Sequence, residues 1–564
     1  MRTMMLRKAV LAGALATGPA WAVPAHYVVF GFDAQGRIEP RFHATVELAD
    51  DASTAVALSL PDHLGNRLNW HALKDGQRGA RREVEVSRVL RAEFAHDIDS
   101  GHGEIDGQLS PDPDPAFVLR VPVAEAEVVE FETTAGMQRF DLAALAADAA
   151  RLPLAGGAQA RIEAPSSLAG AGGSPANRVD ILVLGDGYTS GQEALFNTHV
   201  AALEASMFNV TPYKEYANFV NWRSGFIASA QSGADHPLYL AGCVTTSCCA
   251  DSAAQGDPLA GQFVDTALDG RFCTNQIHRL LTVSSAKVFA AAAAYPNWDK
   301  LLVTVNDPVY GGSGGSYATV SAHAQAPLVA IHEYGHSFHK LADEYTTPYP
   351  GFPACSDLGT PQTCEANVTN QNDATLVKWR SWFTPGIAIP TPAGTPGTGL
   401  FEGARYLVGG MYRPTSNSCL MRVLGSTFCN VCRQEYVKFL YRGGFGTPAA
   451  GIDLIEPGTE SPSPATPVIV PTGTPRTFSA TILRPVIGTV SLQWYLDGVP
   501  IAGATGESHV FSQAVPTPAV RTLELRAIDT TPFVNAEMAD GLTTHVRTWT
   551  IQISNDLLFK HGFE

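Results

Sequence analysis

The chain has 564 residues, of which 45% are apolar and only 16% are charged, a composition that is typical of globular domains and excludes a largely disordered chain. Its formal net charge is −16, and an acidic chain without a basic stripe is unlike a nucleic-acid-binding protein. A chain of this length is expected to form about three or four domains.

The first residues predict a secretory signal peptide over 1–22. A basic segment, 2–8, precedes the apolar run 9–16, and residues 20–22 read Ala-Trp-Ala, the small-x-small pattern of a signal-peptidase site. The apolar run is too short to span a bilayer, and no later segment reaches the ~18 apolar residues that a membrane helix needs. We therefore expect an exported mature chain, secreted or periplasmic, that starts at Val23 and has no transmembrane segment.

Residues 23–165 contain short runs of alternating apolar and polar residues, punctuated by Gly and Asp. This pattern predicts an N-terminal β-rich, sandwich-like domain. A Gly/Ala/Ser/Pro-rich stretch over 154–176 predicts a linker. From 177 to 446, continuous apolar strands such as 179–184 alternate with helical stretches such as 191–208, which predicts an α/β domain.

The last part of the chain begins with a Pro/Thr/Ser-rich linker over 447–475. Alternation returns over 476–554, with its clearest strand at 492–496, and predicts an immunoglobulin-like β-sandwich. A short tail, 555–564, follows. The predicted fold class is therefore multidomain, with a central α/β domain between an N-terminal β-sandwich-like domain and a C-terminal immunoglobulin-like sandwich.

The nine cysteines fall into three groups, 243–273, 355–364 and 419–432. In an oxidising compartment most of them should pair, and bonds within each group are the simplest arrangement. The odd count leaves at least one thiol outside an intramolecular bond. Cys429-x-x-Cys432 is also compatible with half of a structural zinc site or with a redox pair. Because no second Cys-x-x-Cys accompanies it, we favour a disulfide.

Residues 332–336 read His-Glu-Tyr-Gly-His, an H-E-x-x-H motif, and their surroundings predict a helix. Pro327 suits the first turn of that helix, and apolar residues recur at helical spacing along one side. His332 and His336 lie roughly opposite this stripe and one turn apart, so both imidazoles can bind one zinc ion and leave a coordination position open. Glu333 lies beside them as the general base for a zinc-activated water.

A zinc ion in this setting needs a third protein ligand. On a continuing helix, His339 would face the same way as His332 but lie two turns away, about 10 Å along the axis, which is too far to share one ion. Asp343 becomes available if the helix ends after His336 and the chain turns back. We predict His332, His336 and Asp343 as the metal ligands, with Glu344 as the alternative to Asp343.

The motif and the residues after it, 332–345, resemble the IgA-peptidase family of zinc metallopeptidases. Other stretches resemble that family in order along the chain, namely 184–189, 232–237, 306–316 and 419–422 with 428–433. The resemblance implies a metzincin-like zincin catalytic domain, often behind an N-terminal β-domain, with Zn²⁺ as cofactor and Met421 in the turn beneath the metal. The sequence departs from the family after the second histidine, where relatives carry glycine and this chain has His339-Lys340.

Residues 311–315 match the serine-hydrolase elbow G-x-S-x-G around Ser313, but that elbow needs a helix directly after the serine. Residues 316–320 instead predict a strand. We interpret the segment as a flexible loop and edge strand above the zinc cleft, where a peptide could bind by β-augmentation. Asp235 and His236 are candidates for a second metal site, although a turn-capping pair is the favoured interpretation.

The sequence therefore predicts a secreted zinc metalloendopeptidase that hydrolyses peptide bonds of extracellular proteins, with a protein or peptide substrate. The alternative is a non-catalytic secreted adhesin or binding protein on a zincin scaffold, whose C-terminal sandwich contacts a cell surface or a glycan. The intact Glu333 argues against a pure binder, which needs no general base. A serine hydrolase that uses Ser313, and a metallohydrolase acting on an amide of a glycan or cell-wall peptide, are further alternatives.

Overall fold

The architecture comes from a computed structural model that describes residues 23–49, 65–95, 103–134, 136–154, 160–162, 172–349, 352–442, 451–513, 519–535 and 541–554. The predicted signal peptide 1–22 and tail 555–564 lie outside these residues, as do parts of both predicted linkers. The described chain is multidomain and mostly β-structure, with several sheets and few helices. Among the described residues, no helix combines the length and the apolar character that a membrane crossing requires.

The N-terminal part is built from strands and one short helix: β1 (Val23–Phe32), β2 (Ile38–Leu48), β3 (Gly65–Lys74), β4 (Gln77–Ser87), β5 (Val89–Ala95), β6 (Gly103–Pro111), β7 (Phe117–Pro122), β8 (Val128–Thr133), β9 (Gly136–Asp141) and α1 (Leu142–Ala147). One antiparallel sheet has the order β2-β1-β7 and another has the order β4-β3-β8-β9. Both contribute to one apolar core that contains Phe30, Trp70 and Phe131. The two sheets therefore pack against each other around these side chains.

The central part contains β10 (Arg161–Ile162), β11 (Val179–Asp186), α2 (Glu193–Met207), β12 (Val220–Phe226), β13 (Leu238–Tyr239), β14 (Cys248–Cys249), α3 (Ser285–Ala292), β15 (Lys300–Val305), β16 (Gly312–Ser313), β17 (Ala318–Ser321) and α4 (Ala326–Ser337). A six-stranded sheet has the order β10-β12-β11-β15-β17-β16. Its four inner strands are parallel, and a short antiparallel strand lies at each edge. Every residue of β11 and β15 is buried, as expected for continuous apolar strands in a covered parallel sheet.

The central part ends with β18 (Phe401–Ala404), β19 (Leu407–Arg413), β20 (Val423–Leu424) and α5 (Asn430–Arg442). The short strand β20 is important for the site, because it pairs with β6 of the N-terminal part in a sheet of order β20-β6-β5. The hairpin β5–β6 thereby shares a sheet with the central part, although β5 directly follows β4 of an N-terminal sheet.

The C-terminal part holds β21 (Val468–Pro471), β22 (Arg476–Ser479), β23 (Val490–Leu496), β24 (Val499–Pro500), β25 (Ser508–Phe511), β26 (Val520–Asp529) and β27 (Thr544–Ser554). Five strands form a sheet of order β21-β27-β26-β23-β24, and β22 pairs with β25. Trp494 and Trp549 are fully buried at its core. Strand β21 falls inside the stretch 447–475 that was predicted as a linker, because its Pro/Thr-rich flanks masked the short apolar run that pairs with β27.

The N-terminal part is fixed to the central part by polar contacts as well as apolar ones. The Tyr27 hydroxyl donates to Phe289 O at 2.8 Å, and the buried Arg120 donates to Trp298 O at 2.5 Å. Side chains of β1 share a second apolar core with α3. The N-terminal sheets therefore lie firmly against the central sheet.

Six cysteines form disulfides within the first two sequence groups, as predicted. The bonds are Cys243–Cys248, Cys249–Cys273 and Cys355–Cys364. The cysteines of the third group are buried and not bonded to one another, so the disulfide favoured for Cys429-x-x-Cys432 is absent from the structure.

Candidate metal centre

The H-E-x-x-H motif lies in the C-terminal half of α4, which packs against β17 and α2. Pro327 occupies the first turn, where its missing N–H leaves no helical hydrogen bond unmade. His332, Glu333 and His336 are each at most 3% exposed. Any charge on these side chains must therefore be balanced by neighbouring groups, since water does not reach them.

Both histidine rings are oriented by backbone carbonyl groups. His332 Nδ1 lies 3.1 Å from Leu420 O, and His336 Nδ1 lies 2.7 Å from Leu341 O. A carbonyl oxygen only accepts hydrogen bonds, so each Nδ1 is the donor. The two Nε2 atoms then face each other at 3.0 Å. Two lone pairs so close in a dry interior require a proton or a metal ion between them.

Asp343 reaches the histidines because the chain reverses directly after α4. Lys340 adopts φ +54°, the left-handed conformation with which many helices end. Its N–H donates to His336 O at 3.1 Å. The reversal brings Asp343 Oδ1 to 3.2 Å from His332 Nε2 and 3.1 Å from His336 Nε2. The structure thus brings together the three residues that the sequence predicts as ligands.

The other carboxylate oxygen of Asp343 is held by two donors. Arg91 donates to Oδ2 at 2.7 Å, and the Tyr406 hydroxyl donates to the same atom at 2.5 Å. Burial alone would raise the pKa of Asp343, but the positive charges of His336 and Arg91 outweigh it and hold that pKa well below its usual range. Partners of this kind fix the direction of a ligating carboxylate and keep it ionised.

A second carboxylate enters the same space from strand β5. Glu93 Oε2 lies 2.6 Å from His332 Nε2, and Glu93 Oε1 lies 3.3 Å from His336 Nε2. One ligand atom from each of Glu93, His332, His336 and Asp343 lies within 4.8 Å of all the others, and all four residues are buried. Two imidazole nitrogens and two carboxylates converging on one small volume are a donor set that fits a zinc ion.

The charge balance of these four residues also fits a cation. Burial and the Arg91 charge lower the pKa of His336, but Asp343 and Glu93 outweigh them and raise it to about 8. Against the effect of burial, Glu93 and Asp343 likewise raise the pKa of His332 well above its usual value. The carboxylates thus demand positive charge at the Nε2 positions. A proton supplies that charge in the metal-free site, and a bound metal ion would replace it.

Glu333 lies beside these four residues, against the bare backbone of Gly314. A Cβ at position 314 would be only 1.7 Å from Glu333 Oε2, so a side chain there would displace the Glu333 carboxylate. Within the described chain, Glu333 Oε1 accepts no hydrogen bond, and a small cavity beside it is lined by Arg91, Gly315 and His336. Burial, followed by the charge of Glu93, raises the pKa of Glu333 to about 8. A buried carboxylate with an unused oxygen and a raised pKa is well suited to accept a proton.

The strand that carries Glu93 runs along the edge of the central sheet. The Arg91 N–H donates to Gly314 O at 2.8 Å, and the Gly314 N–H donates back to Arg91 O at 3.1 Å. On its other side β5 pairs with β6, and the Ile105 N–H donates to Arg422 O at 3.1 Å. The hairpin β5–β6 therefore covers the cluster between the sheet edge and the turn at residues 421–422.

Comparison with known proteins identifies the central part. The model of the family described as IgA Peptidase M64 matches residues 168–248 and 243–396. These residues belong to the IgA-peptidase family. It is a metallopeptidase family, so the similarity to proteases covers residues 168–396, which are less than half of the chain. No curated protein matches the chain.

Among solved structures, a Bacteroides fragilis protein assigned provisionally as a beta-galactosidase is 9% identical, over 94% of this chain and 86% of that one. Its TM-score is 0.11, a similarity too low to carry any conclusion.

The IgA-peptidase match includes the whole H-E-x-x-H motif and Asp343, but it ends before the last stretch that resembles the family, 419–433. The structure nevertheless puts Met421 directly beneath the motif. A Cβ on Gly335 would lie 2.8 Å from Met421 Sδ, and Met421 is fully buried. This is the position that the resemblance to the IgA-peptidase family implies for the methionine.

Other residues that the sequence analysis weighed lie elsewhere. Glu344 points away from the histidines, toward the three unpaired cysteines. His339 Nε2 lies 3.1 Å from the Tyr213 hydroxyl within an aromatic cluster. Ser313 lies in β16 and is followed by strand β17 rather than by the helix that a serine elbow needs.

Asp235 and His236 have separate partners. Asp235 Oδ1 accepts a hydrogen bond from the Val264 N–H at 2.8 Å, a contact between segments 29 residues apart rather than a local turn cap. His236 is fully buried between Asp257, at 2.7 Å, and Asp307, at 3.0 Å. The two neighbouring side chains therefore have different partners.

Three residues of the centre were missed by the sequence analysis: Arg91, Glu93 and Tyr406. They come from parts of the chain far from the helix, and no local pattern links them to it. One signal existed in β5. The strand period of two puts Arg91 and Glu93 on the same face of an otherwise apolar strand, next to the buried Ala92. Two opposite charges on one face of such a strand indicate a polar partner across the interface.

Lys340 tests the turn that brings Asp343 into the site. A left-handed residue with a Cβ is disfavoured by about 1–2 kcal/mol, and glycine avoids most of that cost. We expect Lys340→Gly to raise the free energy of unfolding by up to about 1 kcal/mol in urea denaturation. Lys340→Ala removes the same side chain but keeps the Cβ, and it should give no such gain. Equal stability of the two variants would contradict this account of the turn.

Proposed function

We propose that the protein is a secreted zinc-dependent endopeptidase that hydrolyses peptide bonds of extracellular proteins. His332, His336 and Asp343 are the proposed zinc ligands, and Glu333 is the proposed general base. The observation that carries the proposal is the pair of Nε2 atoms 3.0 Å apart, each ring held through Nδ1 by a backbone carbonyl. Kinship with the IgA-peptidase family supports the same activity.

The arrangement around α4 supports a metzincin-like core for this peptidase. The helix ends, the chain reverses at Lys340 and Asp343 returns to the histidines, while Met421 lies under Gly335. The disulfides support an extracellular setting, because such bonds persist in oxidising compartments. The signal peptide proposed for 1–22 agrees with that setting.

In the proposed mechanism, zinc supplies Lewis acidity that polarises the scissile carbonyl and lowers the pKa of the attacking water. Glu333 accepts one proton from that water on a carboxylate oxygen as the water oxygen bonds to the carbonyl carbon. When the C–N bond breaks, Glu333 returns the proton to the leaving amine, so the carboxylate ends the cycle as it began. Tyr406, which does not lie on β5, keeps Asp343 aligned through its hydrogen bond to Oδ2.

The edge strand β16 is the proposed binding surface for an extended peptide. The chain's own strand β5 lies antiparallel to Gly314 there, with two backbone hydrogen bonds. This pairing supports the proposal that a substrate adds to the same edge by β-augmentation. Gly314 has no side chain, so such a peptide would lie close to Glu333.

The same pairing supports the view that the described conformation is latent. A catalytic zinc site keeps a coordination position open for water and substrate, whereas Glu93, 2.6 Å from His332 Nε2, would add a fourth protein ligand to a bound zinc ion. In this proposal, Glu93 and β5 are displaced before a substrate binds. An adhesin remains the alternative function, but a buried Glu333 beside a complete ligand set favours hydrolysis.

Glu333 is the residue on which the mechanism depends most. We expect Glu333→Gln to retain zinc and to lower kcat/KM for casein or gelatin by about 10²–10⁴-fold, since it removes the proton acceptor but keeps the shape. Zinc content is measured by mass spectrometry. Cleavage is measured with and without a chelator. The matched control is Glu402→Gln, which alters an exposed carboxylate. This variant should cleave the substrate at the normal rate. A near-normal rate for Glu333→Gln would disprove the mechanism.

Asp343→Ala tests the third ligand. We expect its affinity for the zinc ion at the histidines to fall by at least about 10–100-fold, because an anionic donor is lost from a buried site. The measurement is a competition between the protein and a zinc chelator. Asp269→Ala, which alters an exposed carboxylate paired with Lys287, should change nothing. Unaltered zinc affinity in Asp343→Ala would mean that another residue is the third ligand.

Glu93→Ala tests the latent state. We expect it to raise the rate of casein cleavage roughly tenfold or more, because removing the competing carboxylate increases the fraction of molecules that accept substrate. Glu83→Ala, on the neighbouring strand β4, is the control, since that carboxylate is half-exposed and pairs with Arg67. A Glu93→Ala variant that loses zinc and shows no rise in rate would instead make Glu93 a permanent ligand.

A further inference from the structure

The three cysteines outside disulfides meet at one point in the core. Cys432 Sγ lies 3.5 Å from Cys429 Sγ and 3.7 Å from Cys419 Sγ. Glu344 Oε1 lies 3.7 Å from Cys432 Sγ. One ligand atom from each of these four buried residues lies within 4.8 Å of all the others.

These spacings match a tetrahedral thiolate site rather than a disulfide. A disulfide brings two sulfurs to about 2.0 Å from each other. A tetrahedral zinc ion with Zn–S bonds of about 2.3 Å separates its sulfurs by about 3.8 Å. The distances from Cys432 Sγ to the other two sulfurs, 3.5 and 3.7 Å, are close to the second value. The other six cysteines are disulfide-bonded in the same structure, so the three stand apart from them.

Two of the three cysteines belong to the start of one helix. Cys429 directly precedes α5, and the free amide N–H groups at a helix N-terminus favour a negatively charged sulfur. The Cys-x-x-Cys spacing brings Cys432 into the first turn of the same helix, next to this sulfur.

The fourth residue, Glu344, carries an unsatisfied oxygen into the cluster. Asn367 donates to its Oε1 at 3.0 Å, whereas its buried Oε2 accepts no hydrogen bond from the residues that the structure describes. A buried carboxylate oxygen without a donor is stabilised by a cation at close range.

We propose that Cys419, Cys429, Cys432 and Glu344 bind a structural zinc ion, separate from the one proposed at the histidines. Three disulfides and three thiolate ligands then use all nine cysteines, which explains the odd count. Four protein ligands leave no position for a substrate, as is typical of structural zinc. A redox role fits less well, because Cys419 and Cys432 are fully buried and no thiol partner could reach them.

The location of the proposed zinc ion indicates a structural role. Glu344 directly follows the proposed ligand Asp343, and Cys419 directly precedes Leu420, whose carbonyl orients His332. An ion that joins these two segments to α5 fixes both of them at once. The structural site therefore braces the backbone around the histidine centre, although its own ligands do not depend on that centre being catalytic.

Zinc content and the thiol count of the mature chain, residues 23–564, test the proposal. Mass spectrometry is expected to find two zinc ions per chain in the wild type and one in His336→Ala, which alters only the histidine centre. After unfolding with a chelator, three thiols per chain should react with a thiol reagent. A single reactive thiol, with a disulfide among the three cysteines found by peptide mapping, would overturn the proposal.

Cobalt(II) distinguishes the two centres, because only a thiolate site gives strong sulfur-to-cobalt charge-transfer absorption. We expect this absorption in the wild type and in His336→Ala, and its loss in Cys432→Ser. The double variant Cys355→Ala/Cys364→Ala removes a disulfide instead and is the control. If Cys432→Ser does not fold, the wild-type spectrum and thiol count still decide. Charge-transfer absorption in a protein without protease activity would support the cysteine site and count against the proposed function. The absence of this absorption from the cobalt-loaded wild type would overturn the cysteine site.

Discussion

The centre depends on two buried imidazoles whose Nε2 atoms face each other at 3.0 Å. Neither ring can turn away, because each Nδ1 donates to a carbonyl that only accepts. The backbone carbonyls therefore hold the two nitrogens close together despite their mutual repulsion. The surrounding groups all affect the energy of this arrangement. Asp343 and Glu93 bring negative charge, which makes a cation between the rings favourable. The cost of holding the rings in this way is met by the packing of α4 against β17 and α2.

One short segment connects the histidine centre with the cysteine cluster. Residues 343–345 are held on one side by the N–H groups of Arg405 and Tyr406 and on the other by the carbonyl of Met421. Consecutive side chains of such an extended segment point in opposite directions. Asp343 therefore points to the histidines, and Glu344 points to the cysteines. The predicted third ligand, Asp343, and its alternative, Glu344, thus have different partners because of this alternation.

The sequence predicted the parts of the centre that local periodicity determines. The helix of residues 326–337, the buried strands of the central sheet and the proximity of His332 and His336 all follow from spacings within a few turns or strands. The position of Asp343 required knowledge of where α4 ends. The sequence suggested that end only conditionally, since a lysine rather than a glycine takes the left-handed conformation.

What could not be predicted comes from contacts between distant segments. Glu93 and Arg91 precede the helix by more than two hundred residues, and no period in the sequence relates the two. The cysteine cluster was not predicted from the sequence for a related reason. Its fourth member is a glutamate next to another candidate ligand, so a search for a second Cys-x-x-Cys could not find it. The family match does not help here either, because it ends before Cys419.

The way the N-terminal part is attached explains how Glu93 can be both well placed and removable. The N-terminal sheets are anchored through β1 and β7, by Tyr27 and Arg120, far along the chain from Glu93. The hairpin β5–β6, in contrast, has few backbone hydrogen bonds to the central part, with one pair at Gly314 and two paired residues on β20. Its stronger contacts come from side chains, namely the buried Arg91–Asp343 ion pair and the packing of Ile105 against Val329. The displacement proposed for Glu93 therefore has to break these side-chain contacts, whereas the anchors at Tyr27 and Arg120 can stay intact.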